Sequence, residues 1–178
     1  MGDVERVCIY IDGSNFYHSL KDECGRARLD LSAFSKRLLG SRHLVRTYYY
    51  NAALCENADK DEKRKQQRFF ETVRRLPYFD VRLGRMEPRG GTFVEKGVDV
   101  AIAVDMITMA FRGIYDTAIL VSCDGDYVKA IDAIRDTGKH VEVACFRKAY
   151  HLKQVADKVI DLNKRFFDDL WLNMKTGL

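Results

Sequence analysis

Three short acidic stretches, each falling where a strand would end or a helix begin, constrain this chain more than any other feature. They are Ile11-Asp12-Gly13-Ser14-Asn15, Lys96-Gly97-Val98-Asp99 and Ser122-Cys123-Asp124-Gly125-Asp126. The first and third follow β-rich apolar runs, Val7 to Ile11 and Ala118 to Val121. In a parallel α/β sheet the C-terminal strand ends share one edge, where sites form. Asp12, Asp124 and Asp126 are therefore expected to meet, although more than a hundred residues separate the first from the others. Converging carboxylates repel unless a cation lies among them, and oxygen-only ligands suit a hard ion such as Mg²⁺ or Mn²⁺.

The apolar period alternates between strand and helix along the whole chain. Strands are expected over Val4 to Asp12, Leu44 to Asn51, Phe79 to Gly84, Thr117 to Ser122 and His140 to Phe146, with a short sixth within Val155 to Leu162. Helices are expected over Ser14 to Glu23, Ser32 to Leu39 (capped by Ser32), Asp59 to Leu76, Val98 to Phe111 and Tyr127 to Thr137. A final helix is expected over Asn163 to Met174, and Pro88-Arg89-Gly90-Gly91-Thr92 reads as a flexible loop. Strands alternating with helices imply an α/β fold, a Rossmann-like, mostly parallel sheet with helices on both faces. Runs such as Ile119-Leu120-Val121 agree, since strands buried on both faces read as continuous apolar stretches.

At 178 residues, 47% hydrophobic and 31% charged, the chain has the composition of one globular domain. No apolar run approaches the roughly 20 residues of a membrane span, and Met1 to Arg6 is charged, so neither a membrane segment nor a signal peptide is expected. The five cysteines are widely spaced and form no CxxC pair, which implies reduced thiols and a cytoplasmic protein.

The net charge of +4 says less than its distribution. Lys60 to Arg75 holds seven basic and three acidic residues, and Arg82, Arg85 and Arg89 follow. A basic flank beside an acidic cleft is what phosphodiester cleavage needs: carboxylates hold metal and cations hold the backbone. The plainer alternative is a solvated helix face.

Each acid also has a structural alternative. Asp12 and Asp124 can cap the helices that follow them, and Asp126 and Asp99 suit the positive end of a helix dipole. Together these alternatives weaken, because two strand ends do not need three acids. Lys96 can bind phosphate, stabilise transition-state charge or neutralise the acids. Asp105 lies in a helix apolar almost all round and must be paired, as a structural partner rather than a metal ligand. Other phosphate and metal folds fail on spacing: there is no GxGxxG, no P-loop, no GxSxG, and Ser14 breaks the Asp-x-Asp of a dehalogenase-type phosphatase.

Ile-Asp-Gly-Ser-Asn-Phe at 11 to 16, Lys-Gly-Val-Asp-Val at 96 to 100 and Ser-Cys-Asp-Gly-Asp-Tyr at 122 to 127 resemble the NYN domains. The likeness is greatest to the LabA-like branch of this PIN-like group of metal-dependent ribonucleases, and it covers residues 4 to 162. The resemblance implies an NYN/PIN-like domain over 1–162, with 163–178 a helix packed on or extending it. It implies an acidic cluster of Asp12, Asp99, Asp124 and Asp126 holding one or two Mg²⁺ or Mn²⁺ ions; Lys96, from its place three residues before Asp99, is expected as a further catalytic group. Asn15 and Ser122 would be polar supports that orient metal-bound water or contact the substrate. The branch is also linked to regulation of gene expression, including circadian output in cyanobacteria.

The substrate expected on this reading is RNA, as single strands gripped by Lys63, Arg64, Arg68 and Arg89. Tyr127 would stack on a base or else pack in the core. Competing readings are a non-catalytic RNA- or protein-binding module with a vestigial metal site, a metal-dependent phosphatase, and a Toprim-like DNA nuclease. The final helix carries an apolar stripe (Phe166, Phe167, Leu170, Trp171, Met174) suited to docking on its own sheet or to a homodimer.

Overall fold

A computed structural model of the chain describes residues 4–54, 58–89 and 92–172, without the side chains of 88, 89 and 92–95. Its elements follow in the order β1 (Arg6–Asp12), α1 (Gly13–Cys24), α2 (Leu31–Leu39), β2 (His43–Ala53), α3 (Lys60–Arg74), β3 (Phe79–Arg89) and β4 (Thr92–Lys96). Then come α4 (Val98–Phe111), β5 (Thr117–Val121), α5 (Val128–Arg135), β6 (His140–Cys145), α6 (Tyr150–Val155) and β7 (Lys158–Asp161). Two 3-10 turns, Gly125–Tyr127 and Lys164–Phe167, complete the set.

The central strands bury apolar residues on both faces. Ile9 and Ile11 of β1, with Ile119 and Val121 of β5, enter one core cluster. Cys8 and Tyr10, with Ala118 and Leu120, enter the other. Helices must therefore cover both sides. α1, α2 and α3 pack on the first face through Phe16, Phe34 and Phe70, and α4, α5 and α6 on the second through Ile102, Ile131 and Leu152.

The strand order is β4-β3-β2-β1-β5-β6-β7, parallel throughout except for the antiparallel edge pair β3 and β4. After β1 the chain moves outward through β2 and β3, then returns to lay β5 on the other side of β1. The switch point between β1 and β5 is where a crevice opens at the strand ends. Asp12 ends β1 there, and Ser122 follows β5. The parallel α/β architecture expected from the alternation is thus the one observed.

Three local expectations change. β3 continues five residues past Gly84, and Arg89 pairs with Thr92, so Pro88, Arg89 and Thr92 of the expected loop are strand; Gly90 and Gly91 lie outside the described residues. The signal was a Gly-Gly pair ahead of the β-forming Thr92-Phe93-Val94. α2 is capped by Asp30, whose carboxylate accepts from the Ala33 N–H, and Ser32 lies inside the helix. The expected C-terminal helix is a single 3-10 turn over Lys164–Phe167 within the described residues.

Beyond that turn the backbone is spent elsewhere. Leu170 C=O accepts from Asp30 N–H, Leu172 N–H donates to Arg28 C=O, and Trp171 bridges to Leu29. The apolar stripe still points inward: Phe167 and Leu170 are buried in the first core cluster, with Phe166 and Trp171 packed against it. The described residues of the stripe thus dock on the chain's own core; Met174 lies outside the described residues. No helix among the described residues is long and apolar enough to cross a membrane.

α1 starts against β2 with no room to spare. A Cβ at Gly13 would lie 2.5 Å from the Tyr49 ring and 2.5 Å from the Tyr50 carbonyl oxygen. Gly13→Ala will destabilise the fold by about 2–3 kcal/mol, since overpacking against backbone has no cheap relief. Urea unfolding checks this, and a loss below about 0.5 kcal/mol would show that α1 can slide.

Candidate active site

At the switch point Asp12 is 3% exposed. Its Oδ1 accepts from the Asn15 backbone N–H at 3.1 Å, which makes it the N-cap of α1. Its Oδ2 accepts from Ser122 Oγ at 3.3 Å and from the Tyr127 hydroxyl at 3.1 Å. A buried carboxylate needs such donors in place of the water it has lost. The capping role and a site role therefore coexist, one on each oxygen.

Asp99 arrives from another direction. Gly97, at φ 81°, turns the chain into α4, and Gly84 of β3 lies so close to Val98 that a Cβ would sit 2.6 Å from its methyl. This close approach sets where the first turn of α4 begins. Asp99 lies in that turn, and the Tyr127 hydroxyl is 3.0 Å from its Oδ1. One phenol oxygen thus touches the carboxylates of both Asp12 and Asp99. Burial, followed by the negative charges of Asp12 and Asp99, holds this phenol far above its ordinary pKa, so it keeps its proton.

The third acidic stretch folds onto itself. Asp124 Oδ1 accepts from the Asp126 N–H at 3.0 Å and caps the 3-10 turn, while Asp126 is exposed. Ser122 Oγ also accepts from the Asp124 N–H at 3.1 Å, and Asn15 Oδ1 accepts from the Cys123 N–H at 2.9 Å. Asn15 and Ser122 therefore fasten the loop after β5 to α1 and to Asp12. Both lie beside Asp12, and their bonds go to backbone and carboxylate.

Other expectations fare differently. Tyr127 is 1% exposed with its ring in the second core cluster, so it offers no face to a base and acts through its hydroxyl. Lys96 pairs with Glu87 across the hairpin at 2.9 Å, and that pairing holds Glu87 below the usual carboxylate range. Lys63 is half-buried on α3, while Arg64 and Arg68 are exposed one turn apart. The Arg89 side chain lies outside the described residues. Arg82 is not available to a ligand: it pairs with Asp105 and Asp80 and stacks over Tyr48. Asp105 also accepts from the Tyr50 hydroxyl at 2.7 Å, the structural pairing its apolar helix required.

Among the described residues no three His, Cys, Asp or Glu side chains gather as a metal ligand set. The geometry instead offers the Asp12 and Asp99 carboxylates, meeting at one phenol, with Asp124 and Asp126 on the adjoining turn. Mg²⁺ dehydrates reluctantly and is commonly held by one or two carboxylates and several waters, so this oxygen-only pair fits such an ion. A wide cleft of about 860 Å³ lies at the opposite edge, beside Glu5, Arg6, Asp116 and Lys158. Its charges pair with one another, Arg6 with Asp116 and Lys158 with Glu142, and leave no convergent set for a ligand.

The NYN domain family matches residues 6–163. LabA of Synechococcus elongatus, the "low amplitude and bright" protein, is 28% identical over 168 residues, covering 89% of this chain and 84% of that protein. A crystal structure of a protein of unknown function from Vibrio parahaemolyticus superposes with a TM-score of 0.76. It is 24% identical and covers 94% of this chain and 98% of that one, which establishes likeness of fold.

Proposed function

This chain belongs to the NYN domain family, and we propose that it is a divalent-metal-dependent ribonuclease, hydrolysing phosphodiester bonds of single-stranded RNA in the cytoplasm. The observation that carries this reading is the meeting of Asp12 and Asp99 at the switch point of a parallel sheet. On this reading residues 1–162 are the nuclease domain. Asp12 and Asp99 would hold one Mg²⁺ or Mn²⁺ ion, with Asp124 and Asp126 on the adjoining turn as further oxygen donors. The ion, when bound, supplies Lewis-acid neutralisation of charge at the phosphate and at the attacking water.

The chain's own groups do the rest. Ser122 and the Asn15 N–H orient the two oxygens of Asp12, so its charge is aimed before substrate arrives. Lys96, 56% exposed at the end of β4, exchanges its surface pairing with Glu87 for the phosphate. Such an exposed pair is worth little, so the exchange costs little. The N-terminus of α3 follows β2 at the same edge as Asp12, and Arg64 and Arg68 grip the strand beyond the cut.

End-labelled single-stranded RNA incubated with Mn²⁺, with Mg²⁺ and with EDTA tests the reading. Cleavage that EDTA abolishes is expected; RNA bound but uncut in every condition would make the protein a binding module. Reversing Lys63, Arg64 and Arg68 to Glu will weaken RNA binding and lower the slope of log K against log salt by about 2, the share of three phosphate contacts on a single strand. An unchanged slope would leave α3 a solvated face.

A further inference from the structure

We propose that Tyr127 is a positioning residue which, through its hydroxyl, ties Asp99 of α4 to Asp12 of β1 and thereby sets the cation affinity of the pair. The inference rests on the reading of these two acids as a cation site. Three segments of chain meet at one oxygen: the end of β1, the first turn of α4, and the 3-10 turn after β5. The hydroxyl lies 3.1 Å from Asp12 Oδ2 and 3.0 Å from Asp99 Oδ1.

The two acids depend on it unequally. Asp12 is also held by Ser122 and by the Asn15 N–H. Asp99 is exposed, and among the described residues no other side chain bonds it. Without the phenol, Asp99 is an acid on an open helix turn, free to swing into water, and a cation must order it on binding.

The proton count makes the arrangement specific. A phenol has one proton to donate, and here it faces two carboxylates. It bonds one of them, and its lone pairs then face the other without a proton between. Both carboxylates thus stay within 3.1 Å of one oxygen, whose proton can serve either. Its ring is buried in the second core cluster, to which Val98 and Ile131 also belong.

Calorimetric titration of Mn²⁺ into the native chain, Tyr127→Phe, Asp99→Asn and the double variant tests this. Tyr127→Phe is expected to bind Mn²⁺ about tenfold more weakly, what one hydrogen bond to a charged group is worth. In the Asp99→Asn background the same change should cost less than about twofold, because the carboxylate that the phenol positions for the ion is gone. Native affinity in Tyr127→Phe, or an undiminished tenfold loss in the double variant, would overturn the proposal. So would native affinity in Asp99→Asn, an exposed substitution that answers the question even if Tyr127→Phe melts too low to titrate. If the native chain itself shows no saturable Mn²⁺ binding, the cation site falls and this inference with it; native binding with an unaltered Tyr127→Phe overturns the inference alone.

Discussion

Asp12→Asn protein will fold, bind RNA and fail to cut it, with metal-dependent cleavage reduced by about three orders of magnitude, the upper range for losing one preorganised charged or hydrogen-bonding group in an active site. The fold survives because of what Asp12 touches. Asn caps helices as well as Asp, so the bond from the Asn15 N–H to Oδ1 is kept. At the other oxygen the new amide meets Ser122 Oγ and the Tyr127 hydroxyl, and both can turn to accept from it. Stability should therefore stay within about 1 kcal/mol of native, read by urea unfolding beside the cleavage assay. Cleavage at the native rate by this variant would remove Asp12 from the chemistry, and with it the proposed centre.

Arg42→Ala will cost about 3–4 kcal/mol and lower the melting temperature by about 10 °C, the largest stability loss expected from one polar side chain here. Its guanidinium meets Glu142 in a two-pronged pair at 2.9 and 3.1 Å, with only 16% and 10% of the two side chains exposed. It also donates to the carbonyls of Leu38 and Leu39 at 2.9 Å each, satisfying the end of α2. Removing it leaves Glu142 buried with Lys158, itself 60% exposed, as its remaining partner. Replacing both partners, Arg42→Met with Glu142→Leu, should recover most of the loss, because no charge is then stranded. Thermal melts of the single and double variants decide the point; a single variant within 1 kcal/mol of native would mean that Lys158 suffices.

These two side chains mark how far the chain could be read unaided. Asp12 was legible because it ends an apolar run and begins a helix, both local patterns. Arg42 and Glu142 carried no such signal, since their pairing spans 100 positions and depends on β6 lying where α2 ends. Asp105 was intermediate: its apolar surroundings demanded a partner, but only the packing of α4 on β3 named Arg82.

The amino-acid sequence by itself determined the alternation of strands and helices, the burial of the central strands on both faces, and the placing of Asp12 and Asp124 at the ends of β1 and β5. Each of these follows from side-chain period and from turn chemistry within a few residues. The tertiary structure decided that Asp99 joins Asp12 through Tyr127, that Lys96 turns to Glu87, and that the C-terminal segment winds one 3-10 turn before pairing with Leu29. Those outcomes hang on the few ångströms between groups distant in the chain. Sheet register, the close approach of Gly84 to Val98 and the rotation of a single turn fix those ångströms, and local propensity carries no information about them.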